Sequence, residues 1–86
     1  MIKVKRFTAT WCGPCRVLAP IFAELESEIS EVTFETIDVD QNKEETANYM
    51  VTSVPTVVIE KDGEMVQRYT GVQPKSIYAL KIKSLK

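Results

Sequence analysis

The feature that most constrains the fold is a pair of cysteines, separated by two residues, that lies between a strand pattern and a helix pattern. Residues 2–8 alternate apolar and polar side chains, which predicts a β-strand. After Cys12 and Cys15, apolar residues recur at spacings of three and four, which predicts a helix with one apolar face. That face comprises Leu18, Phe22, Leu25 and Ile29. A Cys-x-x-Cys pair at such a junction indicates redox chemistry, a structural disulfide or half of a zinc site.

The counts of cysteine and histidine narrow these choices. The chain has two cysteines and no histidine, so a histidine base, a Cys-His pair and a Ser-His-Asp triad are impossible. A four-ligand Cys/His zinc site would need a second chain to supply two more ligands. Because the cytosol keeps thiols reduced, a lone pair of cysteines there is more often redox-active than structural. The structural disulfide and the zinc half-site remain the alternatives from the residues alone.

Composition sets the class of protein. With 86 residues, 44% hydrophobic and 27% charged, the sequence predicts one globular domain covering residues 1–86. The net charge of −1 gives no electrostatic reason to expect nucleic acid or a membrane surface. No apolar run approaches the roughly 18 residues that span a bilayer. Residues 1–7 mix charged and apolar side chains, unlike a secretory signal, so we expect a cytoplasmic protein.

Four strands and three helices are predicted, in the order β-α-β-α-β-β-α. We expect the first two strands to be parallel, because a helix joins them, and the last two to form an antiparallel hairpin. The resulting α/β architecture is a four-stranded mixed sheet with helices on both faces. The predicted strands cover 2–8, 32–39, 56–59 and 65–70, and the helices begin near Pro14, Asn42 and Pro74. The last helix is expected to bury Ile77, Leu80 and Leu85 on one face.

The position of the cysteines predicts their chemistry. Cys12 is expected at the helix N-cap, where unpaired N–H groups and the positive end of the helix dipole favour a thiolate. The thiolate is the nucleophile in disulfide exchange. We expect Cys12 to be exposed and Cys15 to lie shielded one turn further in, close enough to attack a mixed disulfide on Cys12.

Residues Trp11–Cys15 reproduce the active-site motif of the thioredoxin family in full, and the sequence resembles that family over nearly its whole length. The resemblance implies a thioredoxin-like three-layer sandwich. The chain begins where the second strand of full-length thioredoxins begins, so we expect a short form without their N-terminal strand and helix. Further matching segments are Ala19-Pro20, Asp38–Asn42, Val54–Thr56, Lys61–Glu64 and Gly71.

The resemblance implies an oxidoreductase that reduces protein disulfides, with Cys12 as nucleophile and Cys15 as resolving thiol. No bound cofactor is implied, only the reversible Cys12–Cys15 disulfide. The expected partners are disulfide-containing proteins and an external reductase such as thioredoxin reductase. We expect the chain to act as a monomer in electron transport and cell redox homeostasis.

A substrate-binding surface is also implied by the resemblance. In thioredoxin-like proteins the X-Pro bond that corresponds to Val54–Pro55 is cis and faces the dithiol. Carried to this chain, the backbone of Val54 would pair with a substrate peptide. The uncharged surface expected around Cys12 consists of Trp11, Gly13, Pro14, Val54, Pro55, Gly71 and Val72. Tyr49, Met50 and Tyr78 are expected in the core or at its rim.

The chain departs from the family at one pair of positions. Many thioredoxins have a buried aspartate six residues before the first cysteine, and this chain has Arg6 there. Thr36 stands where those proteins have a lysine. Two hypotheses follow for Arg6. Its cation stabilises a Cys15 thiolate directly, or its apolar stem carries the charge to the surface.

Two other functions remain open from the sequence. One is a glutaredoxin-like hydrogen donor, for example to ribonucleotide reductase, that glutathione recycles. Against it, residues 69–72 lack the Gly-Gly-x-Asp signature of glutathione binding. The other is a non-catalytic module that binds a partner through the surface around Trp11.

Overall fold

The computed structural model describes residues 1–86 and has the predicted order of strands and helices. Helix α1 begins at Gly13, directly after the first cysteine, and β3 extends two residues beyond its predicted end. None of the helices is long and apolar enough to cross a membrane. The elements are β1 (Ile2–Thr8), α1 (Gly13–Glu28), β2 (Val32–Asp38), α2 (Lys43–Asn48), β3 (Thr56–Lys61), β4 (Glu64–Thr70) and α3 (Lys75–Ser84).

The four strands form one mixed sheet in the order β2-β1-β3-β4, which confirms the predicted architecture. Strands β1 and β2 are parallel, whereas β3 is antiparallel to both β1 and β4. Asp62 and Gly63, both at positive φ, form the hairpin turn between β3 and β4. Phe7 near the end of β1 lies opposite Thr56 at the start of β3. The residues after β1 and those before β3 therefore meet at one edge of the sheet.

Helices cover both faces of the sheet, as predicted. The larger core lies between the sheet and helices α1 and α3, where Val4, Val57 and Leu18 are fully buried. The smaller core lies on the opposite face, where Phe7, Ile37 and Val58 pack beneath the segment that follows α2. Alternate residues of β1 thus pack in different cores, because successive side chains of a strand point to opposite faces.

The buried face of α3 differs from the prediction. Tyr78 and Ile82 are buried, whereas Ile77 and Leu80 are 39% and 67% exposed; Leu85 is only partly buried. The helix carries apolar residues on two faces, so its periodicity could not decide which face packs. Tyr78 is accommodated because the backbone N–H of Gln73 donates to its hydroxyl oxygen at 3.0 Å. Its ring also makes edge contacts with Phe22 and Tyr69.

The prediction that Met50 lies in the core or at its rim is also wrong. Its side chain is 76% exposed, and its backbone adopts the left-handed conformation with φ 53°. Tyr49, by contrast, is half-buried, and its ring lies 5.6 Å from that of Phe7. Residues 49 and 50 form a turn after α2, and the two neighbouring side chains lie in different environments.

Candidate active site

The two cysteines lie at the start of α1 and are joined by a disulfide. Cys12 is the N-cap residue, with extended backbone angles, and Pro14 occupies the first turn. The backbone N–H of Cys15 donates to the Sγ atom of Cys12 at 3.2 Å. A free N–H of the first helical turn thus points at the Cys12 sulfur, where it favours negative charge once the disulfide is reduced. The predicted N-cap position of Cys12 is confirmed.

Both cysteines are shielded from solvent. Cys12 is 5% exposed and Cys15 is 2% exposed, so the expectation of an exposed Cys12 is wrong. The two residues pack with Ala9, and the partly buried Val39 and Val54 cover this small cluster. The end of β1, the end of β2 and the start of β3 meet at the cysteines. The sequence next to the cysteines does not predict this shielding, because it comes from distant segments. Position at the helix N-terminus, not exposure, distinguishes the two sulfurs.

The cis bond implied by the resemblance is present between Val54 and Pro55. The carbonyl oxygen of Val54 lies 3.7 Å from the Sγ atom of Cys12. The backbone N–H of Gly71 donates to the carbonyl oxygen of Pro55 at 2.9 Å, and Gly71 has φ 87°. This conformation is one that glycine adopts without steric cost. The end of β4 is therefore brought beside the segment that faces the dithiol.

The seven residues expected to form a substrate surface differ in their exposure. Trp11 is 66% exposed. Its indole N–H donates to a carboxylate oxygen of Asp40 at 2.8 Å. Gly13 and Pro14 are exposed, whereas Val54, Gly71 and Val72 are half-buried and Pro55 is buried. Val72 packs against the larger core. The exposed part of this surface therefore consists of Trp11 and the first turn of α1.

A pocket of about 130 Å³ lies beside Trp11 and is termed the Trp11 pocket. Its lining carries no charged side chain. Of its residues, only Trp11 and Val54 are expected at the site from the sequence; the adjacency of residues 51–53 to Val54 is the one sequence signal that points to more. The lining residues are Trp11, Val39, Thr46, Val51, Thr52, Ser53 and Val54. A larger, shallow hollow of about 510 Å³ along α2 contains neither cysteine, so we do not associate it with the dithiol.

Arg6 is half-buried and its head group makes a hydrogen bond at an exposed position, as expected if its stem carries the charge to the surface. Its Nη2 atom donates to the hydroxyl of Thr36 at 3.1 Å, so the two residues that replace the family's pair bind each other. Burial lowers the pKa of Arg6, although the charge of Glu26 opposes this effect. The Nε atom is buried without a hydrogen-bond partner.

Comparisons with known proteins agree with this geometry. Residues 2–84 match the family described as Thioredoxin. The thioredoxin of Listeria monocytogenes is 46% identical over 70 residues, covering 80% of this chain and 68% of that protein. The thioredoxin of Staphylococcus epidermidis is 43% identical over 75 residues, covering 86% and 72%.

Solved structures show the same similarity in three dimensions. The thioredoxin of Fasciola hepatica superposes with a TM-score of 0.91 at 45% identity, covering 99% of this chain and 81% of that one. The oxidised mitochondrial thioredoxin 3 of Saccharomyces cerevisiae gives 0.89 at 33% identity, covering 98% and 78%.

Proposed function

This chain belongs to the thioredoxin family and is a thiol–disulfide oxidoreductase, and we propose that Cys12 is its nucleophile and Cys15 its resolving thiol. The observation that carries this assignment is the N-cap position of Cys12, whose sulfur accepts the N–H of Cys15. Of the two sulfurs, that of Cys12 is the one that the helix N-terminus stabilises as a thiolate.

The reaction consists of two exchanges. In the first, the Cys12 thiolate attacks one sulfur of a substrate disulfide; a Cys12–substrate disulfide forms, and the other substrate sulfur leaves as a thiolate and takes up a proton. In the second, Cys15 loses its proton and attacks the Cys12 sulfur. The Cys12–Cys15 disulfide forms and the second substrate thiol is released. Two electrons pass from the protein to the substrate.

The substrate surface proposed for this reaction comprises Trp11, Gly13, Pro14, Val54, Pro55, Gly71 and Val72. Its support is the position of Val54, whose carbonyl lies beside the Cys12 sulfur and is available to accept from a substrate backbone N–H. The Trp11 pocket adjoins this carbonyl and suits an uncharged side chain next to the attacked cysteine. Backbone pairing and small apolar contacts demand little of the substrate sequence, so many proteins would bind.

We place the reaction in the cytoplasm, with thioredoxin reductase or a similar external reductase returning the electrons. The use of both cysteines in one redox pair, with none left for structural disulfides, supports this location. One sheet joins all four strands, which supports a single domain over residues 1–86. The site lies within one chain, so a monomer suffices for electron transport and redox homeostasis.

The experiment is an insulin-reduction assay with two recycling systems. With thioredoxin reductase and NADPH, we expect insulin to be reduced and NADPH to be consumed. With glutathione, glutathione reductase and NADPH, we expect no consumption above the background without the protein. Activity only with glutathione would instead establish the glutaredoxin-like function. No reduction in either system, with retained binding of partner proteins, would establish a binding module.

A further inference from the structure

Helix α2 itself buries no side chain, and the segment that follows it, residues 49–51, is held by packing on the smaller core and by polar contacts. The helix is six residues long. Arg68 of β4 donates to the carbonyl oxygens of Tyr49 and Met50 at 2.7 and 2.9 Å. The hydroxyl of Tyr49 donates to Glu60 of β3. A short helix with no buried side chain has little hydrophobic stabilisation of its own position.

Lys5 of β1 is the central side chain of this attachment. Only 8% of the residue is exposed, although it is a lysine. Its Nζ atom lies 2.7 Å from Glu45 of α2, 3.7 Å from Glu35 of β2 and 4.5 Å from the centre of the Tyr49 ring. Burial disfavours the charge of Lys5 more than any single contact favours it, but the hydrogen bonds and charges of Glu45 and Tyr49 together outweigh burial, so the pKa is raised and the side chain stays cationic.

The segment that Lys5 contacts leads directly to the proposed substrate site. Thr46 of α2 and residues 51–54 after it form one wall of the Trp11 pocket. The backbone N–H of Val51 donates to the carbonyl oxygen of Thr46 at 3.0 Å and so links the helix to this wall. The same wall ends at the Val54 carbonyl, 3.7 Å from the Cys12 sulfur.

We propose that Lys5 is a positioning residue for substrate binding: by contacting Glu45 and the Tyr49 ring, it fixes the wall of the Trp11 pocket relative to Cys12. This inference rests on the proposed function, in which that wall binds the substrate. The side-chain contacts of Lys5 are with Glu45, Glu35 and the Tyr49 ring and not with a cysteine, so we expect it to act on substrate affinity and not on the thiols.

Energetics distinguish this role from simple stabilisation. Replacing a buried ionic contact by an apolar side chain of similar volume is often neutral for stability, because the cost of desolvating the charges is removed as well. Both carboxylate partners are substantially exposed, Glu45 by 36% and Glu35 by 41% of their side chains, so losing Lys5 leaves no buried unpaired charge. The fold should therefore survive Lys5→Met while α2 loses its fixed position.

The test is Lys5→Met, assayed with insulin and with hydroxyethyl disulfide, a substrate too small to fill the pocket and pair with Val54 together. We expect KM for insulin to rise about fivefold with kcat unchanged, and the rate with hydroxyethyl disulfide to stay the same. Amide hydrogen exchange should accelerate at residues 49–51 and not in β1 or β3. Lys5→Arg should restore most of the insulin affinity, because it keeps the cation.

Two further variants make the result specific. Lys3→Met is the matched control, because Lys3 lies on the same face of β1 and makes no ion pair; it should behave as the wild type. Glu45→Gln removes the same ion pair from an exposed position and should reproduce the rise in KM, which keeps the test available if Lys5→Met does not fold.

Three outcomes would overturn the inference. They are an unchanged KM for insulin in Lys5→Met and Glu45→Gln, an equal fall with both substrates, or the same effect in Lys3→Met. A wild-type chain that reduces hydroxyethyl disulfide but not insulin would overturn the proposed function itself, before any variant is compared.

Discussion

The guanidinium of Arg6 lies over the ring of Phe22, with Cζ 5.5 Å from the ring centre. Phe22 is seven residues beyond Cys15, about two helical turns along α1. Together with its hydrogen bond to Thr36, this contact places the charge of Arg6 between the sheet and the middle of the helix. The contacts of the Arg6 cation are therefore with Thr36 and Phe22, and not with Cys15, the proposed resolving thiol.

Arg6→Met should therefore leave the pKa of Cys15 unchanged, because the guanidinium is engaged away from that sulfur. The measurement is an NMR titration of the reduced protein with labelled cysteine. We also expect the free energy of unfolding in urea to change by no more than about 1 kcal/mol, since a methionine fills the space and removes the unpaired Nε atom. A rise in the Cys15 pKa would show that Arg6 acts directly on the thiol.

Substitution of each cysteine should separate the two roles. Cys15→Ser should accumulate mixed disulfides with insulin or cell proteins, because Cys12 attacks and nothing resolves the product. Cys12→Ser should accumulate few, because Cys15 lacks the N-cap position. Non-reducing electrophoresis after thiol blocking gives the ratio. Equal accumulation in the two variants would contradict the assignment.

Trp11→Ala should lower kcat/KM for insulin while leaving the stability within about 0.5 kcal/mol of the wild type, since the side chain is 66% exposed. The matched control is Val17→Ala on α1, where the side chain is 58% exposed and lies outside the Trp11 pocket. The control should change neither quantity. Equal effects of the two substitutions would mean that Trp11 has no special role in substrate binding.

Met50→Gly should stabilise the protein by about 1 kcal/mol, because the Cβ atom of methionine is sterically unfavourable at φ 53° and glycine has no Cβ atom. Little burial is lost, since the side chain is 76% exposed. Urea unfolding with an unchanged m-value measures the effect. Ala47→Gly, inside α2, is the control and should destabilise by up to about 1 kcal/mol. If both glycines destabilise, the left-handed conformation of Met50 carries no cost.

Stability should fall as the pH rises above 10, with Tyr78 as a main contributor. Burial raises the pKa of Tyr78 above the usual tyrosine value of 10.0, and the N–H of Gln73 opposes this only in part. The folded protein therefore keeps the phenol proton at a pH where the unfolded chain has lost it. The resulting stabilisation is present below pH 10 and disappears above it.

Urea unfolding from about pH 9 to about pH 11 measures this dependence. Tyr78→Phe should flatten the decline, although it also removes the hydrogen bond from Gln73 and lowers stability at neutral pH. An unchanged slope in Tyr78→Phe would assign the alkaline transition to Tyr49 and Tyr69, whose pKa values are raised as well.

The order of elements and the location of the dithiol follow from the sequence alone. Strand alternation in residues 2–8 and the helical spacing after Cys15 depend on near neighbours in the chain, so local patterns suffice to predict them. The N-cap position of Cys12 follows from that same junction. Pro55 was placed opposite the dithiol only through the resemblance, and the antiparallel pairing of β1 and β3 is the physical reason that it lies there.

Tertiary structure decided which polar residues became buried and which apolar residues did not. Lys5 reads as a polar position of an alternating strand, yet α2 covers it and Glu45, forty residues away, pairs with it. Leu80 reads as a core residue, yet α3 buries its other apolar face, where the hydroxyl of Tyr78 finds a partner in Gln73. Cys12 is shielded because Val39 and Val54 arrive from two other segments. Contacts between distant segments depend on how elements pack, and no local periodicity encodes that packing.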